Sequence, residues 1–301
     1  MPSNHAYHSF EIPDNLSFEE CDNALTKILI NNQLAEAEIY LHGGHLTHFQ
    51  PKGEESLIFA GKESRVTPPK SVHAGIPICW PWFGLHPTDS TKPQHGFARD
   101  MEWTLNSTKS LDTKETEVVL TLEDNAQTHT LFPYSFKLEL TFTIGKTLTI
   151  DLKSVNTDEN PFTITQALHS YFTISDLATV KITGVEDTPF IDYTDSKKEK
   201  REDSALQIAQ EVNRVYIPTD ATCEIIDKKL KRKIIVEKSG SNSTTIWNPW
   251  KESGIHDLPD DKYREFVCIE TTNALNDAVT LCSKESCQIR QLISVAGLSN
   301  P

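Results

Sequence analysis

Basic residues are scarce in this chain: 29 lysines and arginines stand against 43 aspartates and glutamates, a formal net charge of −14. Gripping a phosphodiester backbone takes clustered cations. The densest run, Lys197-Lys198-Glu199-Lys200-Arg201, is interleaved and flanked with acids, so it reads as a solvated loop and nucleic acid is not an expected partner. Long apolar stretches are missing too. The most apolar, Gly75 to Gly84, is ten residues long and broken by Pro77 and Pro81, well short of the ~20 residues a membrane helix needs. Met1 to Asn15 has no basic segment leading into an apolar one, so no secretory signal is expected and a cytoplasmic location is. The six cysteines, Cys21, Cys79, Cys223, Cys268, Cys282 and Cys287, form no Cys-x-x-Cys pair, which argues against a disulfide scaffold in a chain of this length. Cys79 and Cys268 lie in apolar, strand-like runs and read as small buried hydrophobes. No G-x-G-x-x-G, P-loop or G-x-S-x-G occurs, which removes the commoner nucleotide and hydrolase signatures.

What is present is alternation with a period of two, the mark of half-buried strands. Leu138, Leu140, Phe142 and Ile144 share one face of a strand. Beyond the turn at Gly145-Lys146, Leu148, Ile150 and Leu152 do the same, so the two segments predict a hairpin. Further strands are predicted at Ala35–Leu41, Leu46–Gln50, Glu117–Leu122, Phe162–Leu168, Val180–Ile182, Lys233–Glu237, Thr244–Trp247, Phe266–Glu270 and Gln288–Val295. No long amphipathic helix is predicted. Many short strands must bury their apolar faces sheet against sheet, which makes this an all-β chain, a large antiparallel β-sandwich. No linker divides it, so residues 1–301 read as a single domain, with long loops at Gly61–Asp100 and Tyr193–Asn213. Ordered loops of that length usually carry function.

Two clusters suggest chemistry. His42, His45 and His48 resemble a metal set, but side chains alternate faces along a strand, so His42 and His45 point apart and no single ion collects all three. No metal is expected. The segment Ala74-Gly75-Ile76-Pro77-Ile78-Cys79-Trp80-Pro81-Trp82-Phe83-Gly84, followed by Gln94-His95-Gly96-Phe97-Ala98-Arg99, holds aromatic rings between prolines. Such a stiff surface suits the C–H face of a sugar ring; on composition alone, a packed plug at the end of the sandwich is the simpler reading.

Six motifs occur in order: Gly-Ile-Pro-Ile-Cys-Trp-Pro-Trp-Phe-Gly (75–84), His-Gly-Phe-Ala-Arg (95–99), Ala-Leu-His-Ser-Tyr-Phe (167–172), Trp-Asn-Pro (247–249), Leu-Pro-Asp-Asp (258–261) and Val-Cys-Ile-Glu-Thr (267–271). Together they resemble the hexose-6-phosphate mutarotases, or glucose-6-phosphate 1-epimerases, of the galactose-mutarotase-like superfamily, over about Leu34 to Val295. The resemblance implies a supersandwich that binds a hexose and interconverts its α and β anomers without metal or redox cofactor. It implies His169 as acid and Glu270 as base, each following an apolar strand and meeting on opposite sides of one sugar. For substrate binding it implies Gln94, His95 and Arg99, with Arg99 offering a planar fork to phosphate. Two positions depart from the pattern. His73 stands where the family has an arginine, and Asn213 where it has an acid. A histidine with a pKa near 6.5 is largely neutral at pH 7, so phosphate attraction weakens unless Lys70 or Arg65 compensates. The expected partner is a small sugar phosphate and the expected state a monomer. An epimerase for an unphosphorylated sugar and a noncatalytic sugar-phosphate binder are the alternatives.

Overall fold

The structure, a computed structural model, describes residues 7–21, 24–60, 72–251, 254–255, 257–259 and 261–298. Two eight-stranded sheets dominate it. One, here the site sheet, runs Lys198–Lys200, Phe190–Asp192, Val212–Tyr216, Ser243–Asn248, Phe266–Asn273, Gln166–Leu168 and Ile78–Cys79, with Tyr171–Thr173 also paired to Phe266–Asn273. The second runs Lys181–Thr183, Cys223–Asp227, Arg232–Ser239, Ser286–Gly297, Leu148–Asn156, Phe136–Ile144, Thr116–Glu123 and Thr104–Ser110. Every named strand pair is antiparallel. A four-stranded sheet, Leu16–Glu20 to His45–Pro51, and a two-stranded ladder, Phe162–Ile164 with Val279–Leu281, complete it.

The predicted hairpin forms, with Phe142 opposite Ile150 and Ile144 opposite Leu148. Its alternate residues are buried throughout, the apolar ones contributing roughly 1.5–3 kcal/mol each by leaving water. They join Leu168, Phe172, Ile246 and Ile269 from the site sheet in one apolar cluster. Alternation then turns the even-numbered residues of Phe266–Asn273, including Cys268 and Glu270, to the other face of the site sheet. A smaller cluster, containing Phe59, Val72, Ala74, Tyr171, Phe266 and Cys268, covers part of that face.

Several local expectations needed correction. The strand predicted over Phe162–Leu168 is two strands in different sheets, because the chain crosses over at Thr165, whose N–H donates to Pro81 O at 3.1 Å. The basic run is not a loop: Lys198–Lys200 is an exposed edge strand, and Lys200 bonds the buried carboxylate of Asp192 at 2.8 Å. The long loop that contained it is also pinned by a bridge between Leu206 and Ile182. Residues 61–71 of the other long loop lie outside the described residues, but Ile78–Cys79 forms a short strand within it. The one α-helix among the described residues, Ala126–Leu131, starts at an Asn125 capping box. No described helix is long and apolar enough to cross a membrane.

Candidate active site

His169 and Glu270 are far apart in the chain, and antiparallel pairing joins them. Gln166–Leu168 and Tyr171–Thr173 pair with the two halves of Phe266–Asn273, Leu168 against Thr271 and Tyr171 against Cys268. Both segments keep one register, which sets His169 across from Glu270. The ladder opens there because the His169 N–H donates sideways to Pro77 O at 3.1 Å. Glu270 therefore sits in mid-strand and His169 at a break in the ladder. His169 Nε2 lies 3.5 Å from Glu270 Oε1. The two side chains are neighbours on one face of the sheet, exposed by only 7% and 1%.

Burial controls their protonation. It pushes the Glu270 carboxyl well above the usual carboxylate range. It pulls His169 down to about 3, helped by the nearby charges of Arg99 and His73. Desolvation disfavours a separated imidazolium and carboxylate, so at neutral pH the contact is an imidazole beside a carboxylic acid rather than an ion pair. Between them the two groups hold one transferable proton. Among the described residues, His169 Nδ1, Glu270 Oε2, Arg99 Nε and Thr245 Oγ1 are buried without a hydrogen-bond partner, and Thr245 lies directly opposite Glu270 on the adjoining strand.

Rings line the site. The His169 ring stacks on Tyr171 at 4.9 Å and meets the edges of Trp247 at 5.9 Å and His95 at 5.6 Å. Neither Tyr171 nor Trp247 was singled out from sequence, although Trp247 begins one of the motifs. The proline-flanked aromatics divide. Trp80 is fully buried against Phe97, Phe132 and Phe136, and Trp82 donates to Pro93 O at 2.8 Å, so both are plug. Phe83 alone of them reaches the site, 5.1 Å from the His95 ring.

The 94–99 loop is built around a close approach. Gly96 bridges Trp80 with φ +73°, and the N–H groups of Phe97 and Ala98 both donate to Trp80 O. On one side of this anchor, His95 takes φ +66°, accepts from the Gly84 N–H at 3.2 Å through Nδ1, and meets Gln94 Nε2 at 3.2 Å through its other nitrogen. On the other side, Arg99 Nη2 donates to Gln94 O at 2.8 Å. Packing around the ring, the charge of Arg99 and the neighbouring His169 and His73 hold His95 well below the usual histidine range, so it too is neutral.

His73 is tethered. Its ring Nδ1 and its backbone N–H both lie 2.7 Å from the carboxylate of Asp257. Burial alone would raise the Asp257 pKa, but these bonds hold it below the ordinary value, so it is ionised. Nothing periodic marked Asp257 in the sequence. Asn213 lies further out, across from Trp247 on the same face of the sheet. Lys70 and Arg65, the candidate replacement cations, lie outside the described residues.

The histidine run resolves into separate partners. His45 Nε2 bonds Ala74 O at 2.8 Å, His42 faces Glu102 at 3.6 Å, and His48 Nδ1 meets Ser56 at 3.4 Å. Burial, outweighing the Ala74 bond, pulls His45 from 6.5 to about 4. The unfolded chain takes up that proton first, so stability is full above pH ~6.5, starts to fall below it and has lost this contribution below pH ~4. His45→Gln should therefore lose about 2–3 kcal/mol less than the parent between pH 7 and 4.5, read from urea midpoints at the two values. Parallel losses in parent and variant would mean that His45 does not drive the acid limb.

A cavity of about 620 Å³ lies elsewhere, lined by Pro189, Ile191, Ile217, Pro218 and Leu275. It includes none of the candidate residues and no buried unpartnered titratable group.

The aldose 1-epimerase family model matches residues 26–294. The chain belongs to the aldose 1-epimerase family. A Salmonella typhimurium relative, provisionally named a glucose-6-phosphate 1-epimerase, is 34% identical over 286 residues, covering 93% of this chain and 94% of its own. One from Cenchrus ciliaris with the same provisional name is 33% identical over 256 residues, 81% and 77% of the two chains. A solved structure of a Salmonella typhimurium protein, provisionally titled a mutarotase, superposes with a TM-score of 0.88 at 31% identity, covering 95% of each chain. Membership fixes the reaction class of this epimerase as an isomerisation at an anomeric carbon, and the fold as the galactose-mutarotase-like sandwich.

Proposed function

We propose that this epimerase interconverts the anomers of a hexose 6-phosphate, with His169 and Glu270 as its proton-transfer pair. The observation that carries the reading is the 3.5 Å contact between Nε2 and Oε1. The ring oxygen and the anomeric hydroxyl of a pyranose are bonded to the same carbon, so an acid and a base close together on one face can serve both at once. Glu270, as carboxylate, takes the proton of the anomeric hydroxyl while His169 gives one to the ring oxygen and the C1–O5 bond breaks. Rotation about C1–C2 and the reverse transfers close the other anomer. Atoms and charge balance with no redox partner. That charged pair is reached from the resting imidazole and carboxylic acid by passing the Glu270 proton to His169 across the 3.5 Å contact, and opening returns it to the neutral state that burial favours, so charging the pair is part of the barrier.

Arg99, whose charge reaches both His169 and His95, is the group we assign to the phosphate, with Gln94, His95 and Asn213 on the hydroxyls. All these groups come from one chain, which we take as the working unit. The free cysteines fit a reducing, cytoplasmic setting. The test is anomer exchange by NMR saturation transfer on glucose 6-phosphate, glucose and galactose. Faster exchange of the phosphorylated sugar is expected. Equal rates with and without phosphate would discard the phosphate assignment, and no exchange with any sugar would favour a binding protein.

His73 beside the ionised Asp257 makes a weak phosphate partner. His73→Arg should keep the tether while making the cation permanent, lowering KM for glucose 6-phosphate by about three- to tenfold with kcat unchanged, as expected for about 1 kcal/mol of added charge attraction. An unaltered KM would mean that another cation serves the phosphate, or that it binds away from His73.

A further inference from the structure

We infer that Gln291, which belongs to the second sheet and touches no substrate, is the positioning residue that holds His169 and Glu270 at proton-transfer distance. The inference rests on the proposed reaction for its kinetic part only.

Gln291 lies in Ser286–Gly297, opposite Lys238 on one neighbouring strand and Ile150 on the other. Alternation turns it inward between Ile289 and Ile293, and all three are fully buried. A primary amide in such a row is costly unless every group is bonded. Here every group is. Its Oε1 accepts from Ser170 Oγ, and its Nε2 donates to Ile269 O at 3.3 Å and to Thr271 Oγ1 at 3.1 Å. Those three partners are the residue after His169 and the two that flank Glu270. The same spot carries the backbone bond from Ile269 N–H to Ser170 O at 3.3 Å. The register sets His169 opposite Glu270, but the strand pair is interrupted at His169, whose own amide bonds Pro77, so no ladder bond is made at His169 itself. One side chain from the opposite sheet bridges the interruption from behind. Thr244 Oγ1 is also buried and unpartnered, but it faces the second sheet and cannot reach the Glu270 carboxyl.

Three proteins test this: the parent, Gln291→Leu and Gln291→Glu. Leucine keeps the approximate shape and removes all three bonds. It is expected to lower kcat for anomer exchange about 10- to 100-fold with KM within about twofold, since approach to the reacting atoms changes and sugar contacts do not. A buried glutamate is neutral at mildly acid pH and then offers one acceptor and one donor. Gln291→Glu should retain most of the parental kcat at pH 6 and lose it as pH rises and the side chain ionises. A defect of packing alone gives no such pH-dependent rescue. The titration of the His169 ring, followed by proton NMR, supplies a readout independent of turnover. In Gln291→Leu it should move from its depressed position toward the ordinary histidine range as the site loosens. A folded Gln291→Leu protein with parental kcat and unmoved His169 titration overturns the inference. A Gln291→Glu protein equally impaired at both pH values does so too. If the parent exchanges no sugar while the ring titration still moves in Gln291→Leu, the proposed reaction fails and the strut stands.

Discussion

Glu270→Gln is expected to reduce anomer exchange by about 10²–10⁴-fold, and His169→Ala by a similar factor, with the double variant no slower than the worse single one. In the proposed mechanism the pair acts as a unit, each accepting what the other releases through the sugar, so removing either would remove the whole relay. Stability should move the other way for Glu270. Burial raises its pKa, so the folded state resists losing the proton, and stability falls as pH rises through that elevated value. Glutamine cannot ionise. The variant should therefore be at least as stable as the parent at pH 8 while being nearly inactive, a combination found where a site sacrifices stability for function. Thermal melting and saturation transfer on the same samples check both halves. A Glu270→Gln protein that keeps more than about a tenth of the parental rate would place the base elsewhere.

Gly96→Ala should be among the most damaging small substitutions outside the proton pair. A Cβ on Gly96 would stand 2.0 Å from Trp80 O and 2.4 Å from Trp80 C, both backbone atoms with no rotamer to yield. The residue also has φ +73°, where a non-glycine residue costs about 1–2 kcal/mol before any clash. A loss of about 3–5 kcal/mol is expected, together with displacement of His95 and Arg99 and loss of activity in whatever remains folded. Gly53→Ala is the control. It shares a positive φ of +86° but meets nothing within 4 Å, so only the backbone strain of about 1–2 kcal/mol is expected. Similar midpoints for the two variants in chemical denaturation would contradict the close-approach explanation.

Local pattern and long-range pairing were not equally legible. The Phe136–Asn156 hairpin followed from alternation, because a period of two and a short turn are local properties. Leu16–Glu20 and Thr26–Asn31 were missed because their runs are short and partly polar, and their pairing with each other rather than their own residues makes them strands. The split at Thr165 was invisible for the same reason: one continuous alternating run serves two sheets, and only its partners reveal the change. His169 and Glu270 came from resemblance to a family; nothing near either residue foretold that one register would set them face to face. Asp257 sits in a loop without periodicity, and its bonds to His73 are tertiary. Gln291 had a readable signal. A glutamine at the inward position between Ile289 and Ile293 breaks an otherwise apolar row, and a buried amide demands partners.

The aromatic segment follows the reading that composition alone favours, a packed plug. Trp80 and Trp82 look like a sugar platform on paper, yet they pack Phe97 and hold the turn from which His95 and Arg99 project. Their contribution to the site is rigidity. The rings beside His169 are Tyr171 and Trp247, placed there by pairing with the strand that carries Glu270.

The most direct test locates the anomeric carbon itself. With glucose 6-phosphate added to the Glu270→Gln protein, nuclear Overhauser effects from the anomeric proton should reach the rings of His169 and Trp247. Contacts instead to Phe190 and Leu275, or none to the His169 ring at saturating sugar, would contradict proton exchange at the His169–Glu270 pair.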